Sequence, residues 1–344
     1  MIQYFVRRLL WSFVLLIAIT MVTYNLFFLI PTQPGTAGSR RAQNTTNLRE
    51  SLVVSGPIYK EYGQFVWRIG HGSFGESWST SRNVNEVILE AAPVTLWLVL
   101  GGAVFWLLLA IPIGILSALR PRSLLDRSAT IFVLIGIAAH PVWLGLILSY
   151  FMGYRLHVFP ITGYCDLWRA HHGTCNGLVQ WSWHLFLPWL TFAMLYAALY
   201  TRMIRASVLE TIDEDYVRTA RAKGASSWRV LRAHVLRNAM LPVVTMLGMD
   251  VGIWITNAVF IETVFGLPGV GKLLTTSLIR RDLPVVMAIT IFLAVLIIVL
   301  NMVVDLIYAA LDPRVRAAGG EQHGGAVRAP ARSEPVAKPA QQPG

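Results

Sequence analysis

The chain has 344 residues, 55% of them hydrophobic and only 14% charged, with a mean hydropathy of +0.56. Soluble domains carry about a quarter charged residues, so this composition argues against an ordinary globular protein and for a chain solvated by lipid. The net charge of +11 comes from basic residues set between apolar blocks, not gathered in one aromatic-interleaved patch, which argues against nucleic-acid binding and fits the Lys/Arg excess of a polytopic membrane protein's cytoplasmic side.

In chain order, Leu9 to Ile30 gives a first uncharged run of 22 residues, enough to cross a hydrocarbon core of about 30 Å as a helix. Arg7 and Arg8 precede it and place the N-terminus in the cytoplasm; the run is too long for a cleaved signal peptide. Residues 31–93 form a mixed loop whose six Lys or Arg nearly balance five Glu, as an outer loop allows. Its aromatics (Tyr59, Tyr62, Phe65, Trp67, Phe74, Trp78) point to helices lying on the outer membrane surface.

Val94 to Leu119 is the second expected span, followed by a basic inner loop with Arg120, Arg122 and Arg127 against Asp126. Ala129 to Gly153 is the third, with a kink expected at His140-Pro141 because proline removes a helix hydrogen bond. Residues 154–184 form a second outer loop. Leu185 to Tyr200 is the fourth span, running on as a polar helix past Arg202 and Arg205. Residues 202–241 hold eight Lys or Arg against four acids and read as cytoplasmic. Met240 to Ile261 is the fifth span, residues 262–283 a third outer loop, and Pro284 to Leu311 the sixth span. The tail after Pro313, rich in Ala, Pro, Gly and Gln, is expected to be disordered. This arrangement puts 18 Lys or Arg inside and 11 outside, with both termini in the cytoplasm. The fold class is therefore an all-α polytopic membrane protein with six transmembrane helices. Residues 1–93 hold the first helix and its outer loop, 94–312 a five-helix core and 313–344 the tail.

The central inner stretch, Tyr216, Val217, Arg218, Thr219, Ala220, Arg221, Ala222, Lys223, Gly224 and Ala225, reads as a short basic helix ending at glycine. Its small residues, Ala220, Ala222, Gly224 and Ala225, let a partner's groove approach the backbone, while the cations keep it out of the hydrocarbon. The alternative is a basic loop resting on lipid phosphates. The run GLPGVGKL at Gly266–Leu273 approaches a phosphate-binding loop. However, Leu273 stands where the magnesium-holding hydroxyl belongs, no strand precedes the run, and it falls outside, away from ATP. Cys165 and Cys175 share the second outer loop with His171 and His172; a disulfide, free thiols or a zinc site are all open to them, and the outer location favours the disulfide. Asp250, near the middle of the fifth span, either faces a pathway or makes a structural hydrogen bond between helices, since a carboxylate there costs about 2.5–3.5 kcal/mol. Asp305 falls near the inner end of the sixth span, where it would pair with a nearby arginine or backbone group. No nucleophile–base pair or cofactor fingerprint argues for catalysis, and no cofactor or metal is expected.

Several stretches together resemble the permease subunits of the dipeptide/oligopeptide/nickel family of binding-protein-dependent ABC importers. They are FVRRLLWSFVLLIAITMVTYNLFFLIP, GSFGESW with VILEAAPVTLWL, IPIGILSALRPRSLLDR, DYVRTARAKGAS with LRNAMLPVVT, ETVFGLPGVGKLL with RRDLPVV, and the closing NMVVDLIYAALDPRVR. The resemblance covers about residues 1–316; the insert YCDLWRAHHGTCNGLVQW and the tail lie outside the common pattern. It implies a type I ABC importer permease fold in the bacterial inner membrane and half of a pathway for di- or oligopeptides. It also implies a second homologous permease, two ATP-binding subunits and an extracytoplasmic substrate-binding protein, with ATP bound by the partner subunits. On this reading Tyr216 to Ala225 is the coupling helix that contacts the ATPase. The resemblance leaves open nickel or another small solute; outside the family, the alternatives are a proton-driven secondary transporter using Asp250 and a membrane enzyme or scaffold.

Overall fold

The computed structural model of the chain describes residues 2–29, 58–167, 175 and 177–311. Twelve α-helices run through the described residues: α1 Ile2–Leu29, α2 Ile58–Gly70, α3 Val84–Leu119, α4 Leu124–Ala138, α5 Pro141–Leu148, α6 Leu178–Ile212, α7 Asp215–Ala222, α8 Ser227–Val230, α9 Leu236–Ala239, α10 Leu241–Phe265, α11 Val270–Arg280 and α12 Leu283–Leu311. π-helical turns follow α5 (Ser149–Arg155) and join α8 to α9 (Leu231–Val235).

The centre of the molecule is the pair α3 and α6, which run parallel. Trp189 Nε1 donates to the Trp97 carbonyl at 3.0 Å near their starts, and Arg205 meets Ser117 near their ends. Gly101, Gly102 and Gly114 on α3 face Trp189, Phe192 and Ile204 on α6, with no room for a Cβ, the small-against-large packing of membrane helices that brings two backbones close. The fully buried Trp106, Phe192 and Tyr200 fill the core there, with Trp106 and Tyr200 ring centres 4.1 Å apart. α4 packs antiparallel on α6 through Gly136 and Ala198. α12 packs on α10 and α1, and with α3 it buries Ile88, Ala91, Val285, Ala288 and Ile289.

Two span expectations change. α3 begins at Val84, ten residues before the expected Val94, because Asn83 caps it, its side chain accepting from the Asn85 amide, and the helix runs through Pro93 and Pro112. The third span is not one kinked helix: α4 and the α5 segment meet at 110°. His140 is held extended at φ −75°, ψ 139° by the following proline, so Pro141 starts a new helix with the His140 ring accepting from the Val142 amide. Among the described residues four continuous helices are long and apolar enough to cross a membrane, and the α4–α5 pair makes a fifth if it is one broken span. The apolar part of α1 is the shorter run Leu10–Asn25, so a count of six requires both α1 and the bent pair to cross.

α2 falls in the loop whose aromatics point to helices on the outer membrane surface, and it packs beside the first helix. Tyr62 and Phe65 pack on Tyr24 of α1, the Tyr62 hydroxyl lies 2.9 Å from that of Thr20, and Trp67 stands exposed. The tail after Pro313 lies outside the described residues, as do His171 and His172, and the side chain of Asp305 is not described.

Candidate functional site: the basic helical turn after α6

α6 ends at Ile212, and the chain reverses into α7. Val217 is the fully buried anchor of α7, packed in the main core with Val230 and Val235 of the returning segment. The Tyr216 hydroxyl accepts from Asn238 Nδ2 at 2.8 Å, tying α7 to α9. The helix closes by a Schellman motif: the Ala225 amide donates to the Ala220 carbonyl at 3.2 Å and the Gly224 amide to the Arg221 carbonyl at 3.0 Å. That closure needs a left-handed residue, and Gly224 sits at φ +80° with open space around the position of a Cβ.

The four small residues do not share one docking face. Ala220 and Ala225 turn inward as the apolar contact of the motif and pack on the core, because that contact accompanies a Schellman turn; Ala222 and Gly224 stay exposed. Around them Arg218, Arg221, Lys223, Arg229, Arg232 and Arg237 are exposed, with Trp228 at 68% and Tyr216 at 40%. Thr219 bonds back to the Asp215 carbonyl, and Arg218 makes a long 3.6 Å contact with the exposed Asp215. The surface is a basic knob with two aromatic rings and a bare glycine backbone, suited to a groove with acidic walls. Trp228 escaped the sequence reading; its signal was a large aromatic inside a run otherwise rich in cations.

Asp126 and Arg205 brace the start of the α4 and the inner part of α6. Buried Asp126 accepts from Arg205 Nε at 2.7 Å and Nη2 at 3.0 Å, from Ser117 Oγ and from the Arg122 amide at 2.9 Å. In the sequence Asp126 appeared only as one charge among several.

Asp250 is half-buried on α10 and accepts from the fully buried Tyr200 hydroxyl at 2.8 Å. About two turns along α10, Asn257 donates to the Tyr196 hydroxyl at 2.8 Å. The two pairs form a polar seam between α6 and α10 in an otherwise apolar interface.

On the opposite side, the phosphate-loop lookalike has its helix N-terminus filled from within. Glu262 is fully buried; its carboxyl accepts from the Gly271 amide at 2.7 Å, the Lys272 amide at 3.0 Å and Thr95 Oγ1 at 2.6 Å. Thr95 Oγ1 in turn accepts from the Val270 amide, and Lys272 Nζ caps the Gly266 carbonyl. An anion belongs at such a terminus, and here a side chain supplies it, which leaves no room for phosphate. Buried Asp282 similarly gathers the amides of Trp78 and Ser79 at 3.1 Å and the hydroxyls of Ser77 and Ser79, so the GSFGESW loop and the RRDLP turn are one unit. Cys165 and Cys175 are joined in a disulfide with Cα atoms 5.3 Å apart.

Two family models match the chain. The description "Binding-protein-dependent transport system inner membrane component" covers residues 110–317, and its N-terminal counterpart covers residues 1–99. Among curated relatives, a probable D,D-dipeptide transport system permease of Escherichia coli is 36% identical over 334 residues, covering 92% of this chain and 98% of the relative. A dipeptide transport system permease of the same organism is 33% identical over 340 residues (92% and 99%), and an oligopeptide transport system permease of Bacillus subtilis 36% over 320 residues (92% and 99%). Among solved structures, a chain of an inward-facing MetNI methionine ABC transporter superposes with a TM-score of 0.52 at 17% identity, covering 66% of this chain and 96% of that one, a likeness of fold.

Proposed function

The chain belongs to the family of binding-protein-dependent transport system inner membrane components, and from that premise we propose that it forms half of a pathway for di- or oligopeptides, driven through the turn at Tyr216–Ala225. It is a multi-pass permease subunit of an ABC importer, and the ATPase is a separate subunit. The proposed assembly adds a second permease, two ATP-binding subunits that hold the nucleotide, and an extracytoplasmic binding protein. Residues 94–312 form the permease core, and both termini and residues 202–241 lie in the cytoplasm.

The observation that carries the coupling role is the Schellman turn at Gly224. It is a rigid, solvent-exposed knob anchored on the core by Val217, and six exposed cations keep it in water. A rigid knob transmits a push from a partner into α6 and α10, which a loose loop does not. Affinity capture of the tagged chain from its own membranes tests the assembly: two ATP-binding subunits and a second permease should accompany it. Recovery of the chain alone, still active in vesicles with a proton gradient, would favour a secondary transporter using Asp250. Orientation has its own test. Cysteines placed at positions within 35–85 should react with an impermeant reagent in intact cells, and one at Ser226 should not. Reaction at 226 overturns the topology.

The peptide assignment draws on the dipeptide permeases among the relatives and on Asp250, the acidic group of the α6–α10 seam. We propose that it receives the cationic amine of a peptide. Asp250→Asn keeps the shape and removes the charge. Uptake of free-amine peptides should fall about tenfold, the worth of one charge-assisted hydrogen bond, while N-blocked peptides change little. An equal fall for both would reduce Asp250 to a helix–helix hydrogen bond with Tyr200.

A further inference from the structure

The disulfide of the extra outer segment does not stand alone. His184, on the second turn of α6, lies with Nδ1 3.2 Å and Nε2 3.7 Å from the Cys165 sulfur. Its Nδ1 is 2.9 Å from the Gln180 carbonyl. When Nδ1 donates that bond, Nε2 keeps its lone pair, the backbone-held arrangement common to metal-ligating histidines. The donor atoms of Cys165, Cys175 and His184 all lie within 4.8 Å of one another. A tetrahedral zinc ion, with bonds of about 2.0–2.3 Å, spans donors roughly 3.3–3.8 Å apart, so the imidazole Nε2 is already at ligand spacing from the Cys165 sulfur, and the two sulfurs must separate. Cys165 is fully buried while Cys175 and His184 are half-buried, so the cluster has a closed floor and an open side.

From this geometry we propose that Cys165, Cys175 and His184 form a redox-gated site for a thiophilic divalent metal ion such as zinc. In the oxidised chain both sulfurs are spent on each other and the site is closed. A dithiol reductant delivers two electrons and two protons to the sulfur–sulfur bond and becomes a disulfide itself. The two thiols then lose their protons as the metal binds two thiolates and the His184 imidazole, with water in the fourth position. The histidine the fold supplies comes from α6, beyond the cysteine pair. The proposal gives a role to the imidazole that the fold holds against the buried Cys165 sulfur, which a disulfide serving only as a staple does not need.

The test uses the full-length chain purified in detergent, prepared oxidised and after reduction by a phosphine that is then removed under anaerobic conditions. Zinc binding is read by competition with a chromophoric chelator, and cobalt binding by the thiolate-to-cobalt charge-transfer band. The reduced chain should bind one zinc tightly and show the cobalt band, and the oxidised chain should do neither. His184→Ala leaves the disulfide in place, so it folds as the parent does when oxidised. After reduction its zinc affinity should fall by more than the roughly 10–100-fold that loss of an outer partner costs. Cys175→Ser should abolish the cobalt band. The proposal is overturned if the reduced chain binds no zinc, if the oxidised chain binds as tightly as the reduced one, or if His184→Ala binds as the parent does. These readouts do not depend on transport, so they stand or fall apart from the permease reading.

Discussion

Gly224→Asp should abolish transport while leaving the protein folded in the membrane. The glycine sits at φ +80° with open space where a Cβ would go, so no neighbour in this chain clashes with the new side chain. Its backbone conformation is strained for an L-residue, a cost of about 1 kcal/mol that aspartate tolerates better than most. The large effect comes from the partner. An unpaired carboxylate pressed into an interface costs several kcal/mol, so coupling should fall by roughly two orders of magnitude or more. The measurement is ATPase activity and substrate uptake of the reconstituted complex with and without binding protein. The mutant complex should bind loaded binding protein but show no stimulation. Gly224→Asn separates the causes: it keeps the left-handed preference and lacks the charge, so it should retain most of the coupling. A fully active Gly224→Asp protein would mean that the turn rests on lipid, and that removing Arg218, Arg221 and Lys223 together is the damaging change.

Glu262→Ala should instead damage the chain itself. The substitution leaves the Gly271 and Lys272 amides and the Thr95 hydroxyl without their acceptor, and opens a void where the carboxyl filled the start of α11. Each buried unsatisfied donor costs about 1–3 kcal/mol, so a loss of at least about 3 kcal/mol is expected. α11 should detach from α3 and α10. A cysteine introduced at buried Ser277, protected in the parent, should then react with an aqueous thiol reagent, and the thermal midpoint in detergent should drop by several degrees. An unchanged midpoint with residue 277 still protected would show that the carboxyl does not hold the helix. Glu262→Gln is the milder comparison: it keeps one acceptor oxygen and turns an NH2 toward amides that can only donate.

The sequence alone was enough for the membrane class and the short helix ending at Gly224. Each rests on local physics: long apolar runs that cross lipid only as helices, and a glycine where a helix must turn left-handed. The break at His140-Pro141 was half legible. Proline announces an interruption, but whether the chain bends slightly or turns through 110° depends on what the second piece packs against, here Gly145 on Val264 and Phe265 of α10. The roles of Glu262, Asp282 and Asp126 were decided only by the tertiary structure. Each acid is an ordinary loop or helix-end charge in the sequence. Each becomes a buried hub because a donor from a segment far along the chain reaches it: Ser77 to Asp282 across 205 residues, Thr95 to Glu262 across 167 and Arg205 to Asp126 across 79. The inward turn of Ala220 and Ala225 was hidden for the same reason. Small side chains fit a docking face and a packed core equally well, and only the position of the core against α7 tells one from the other.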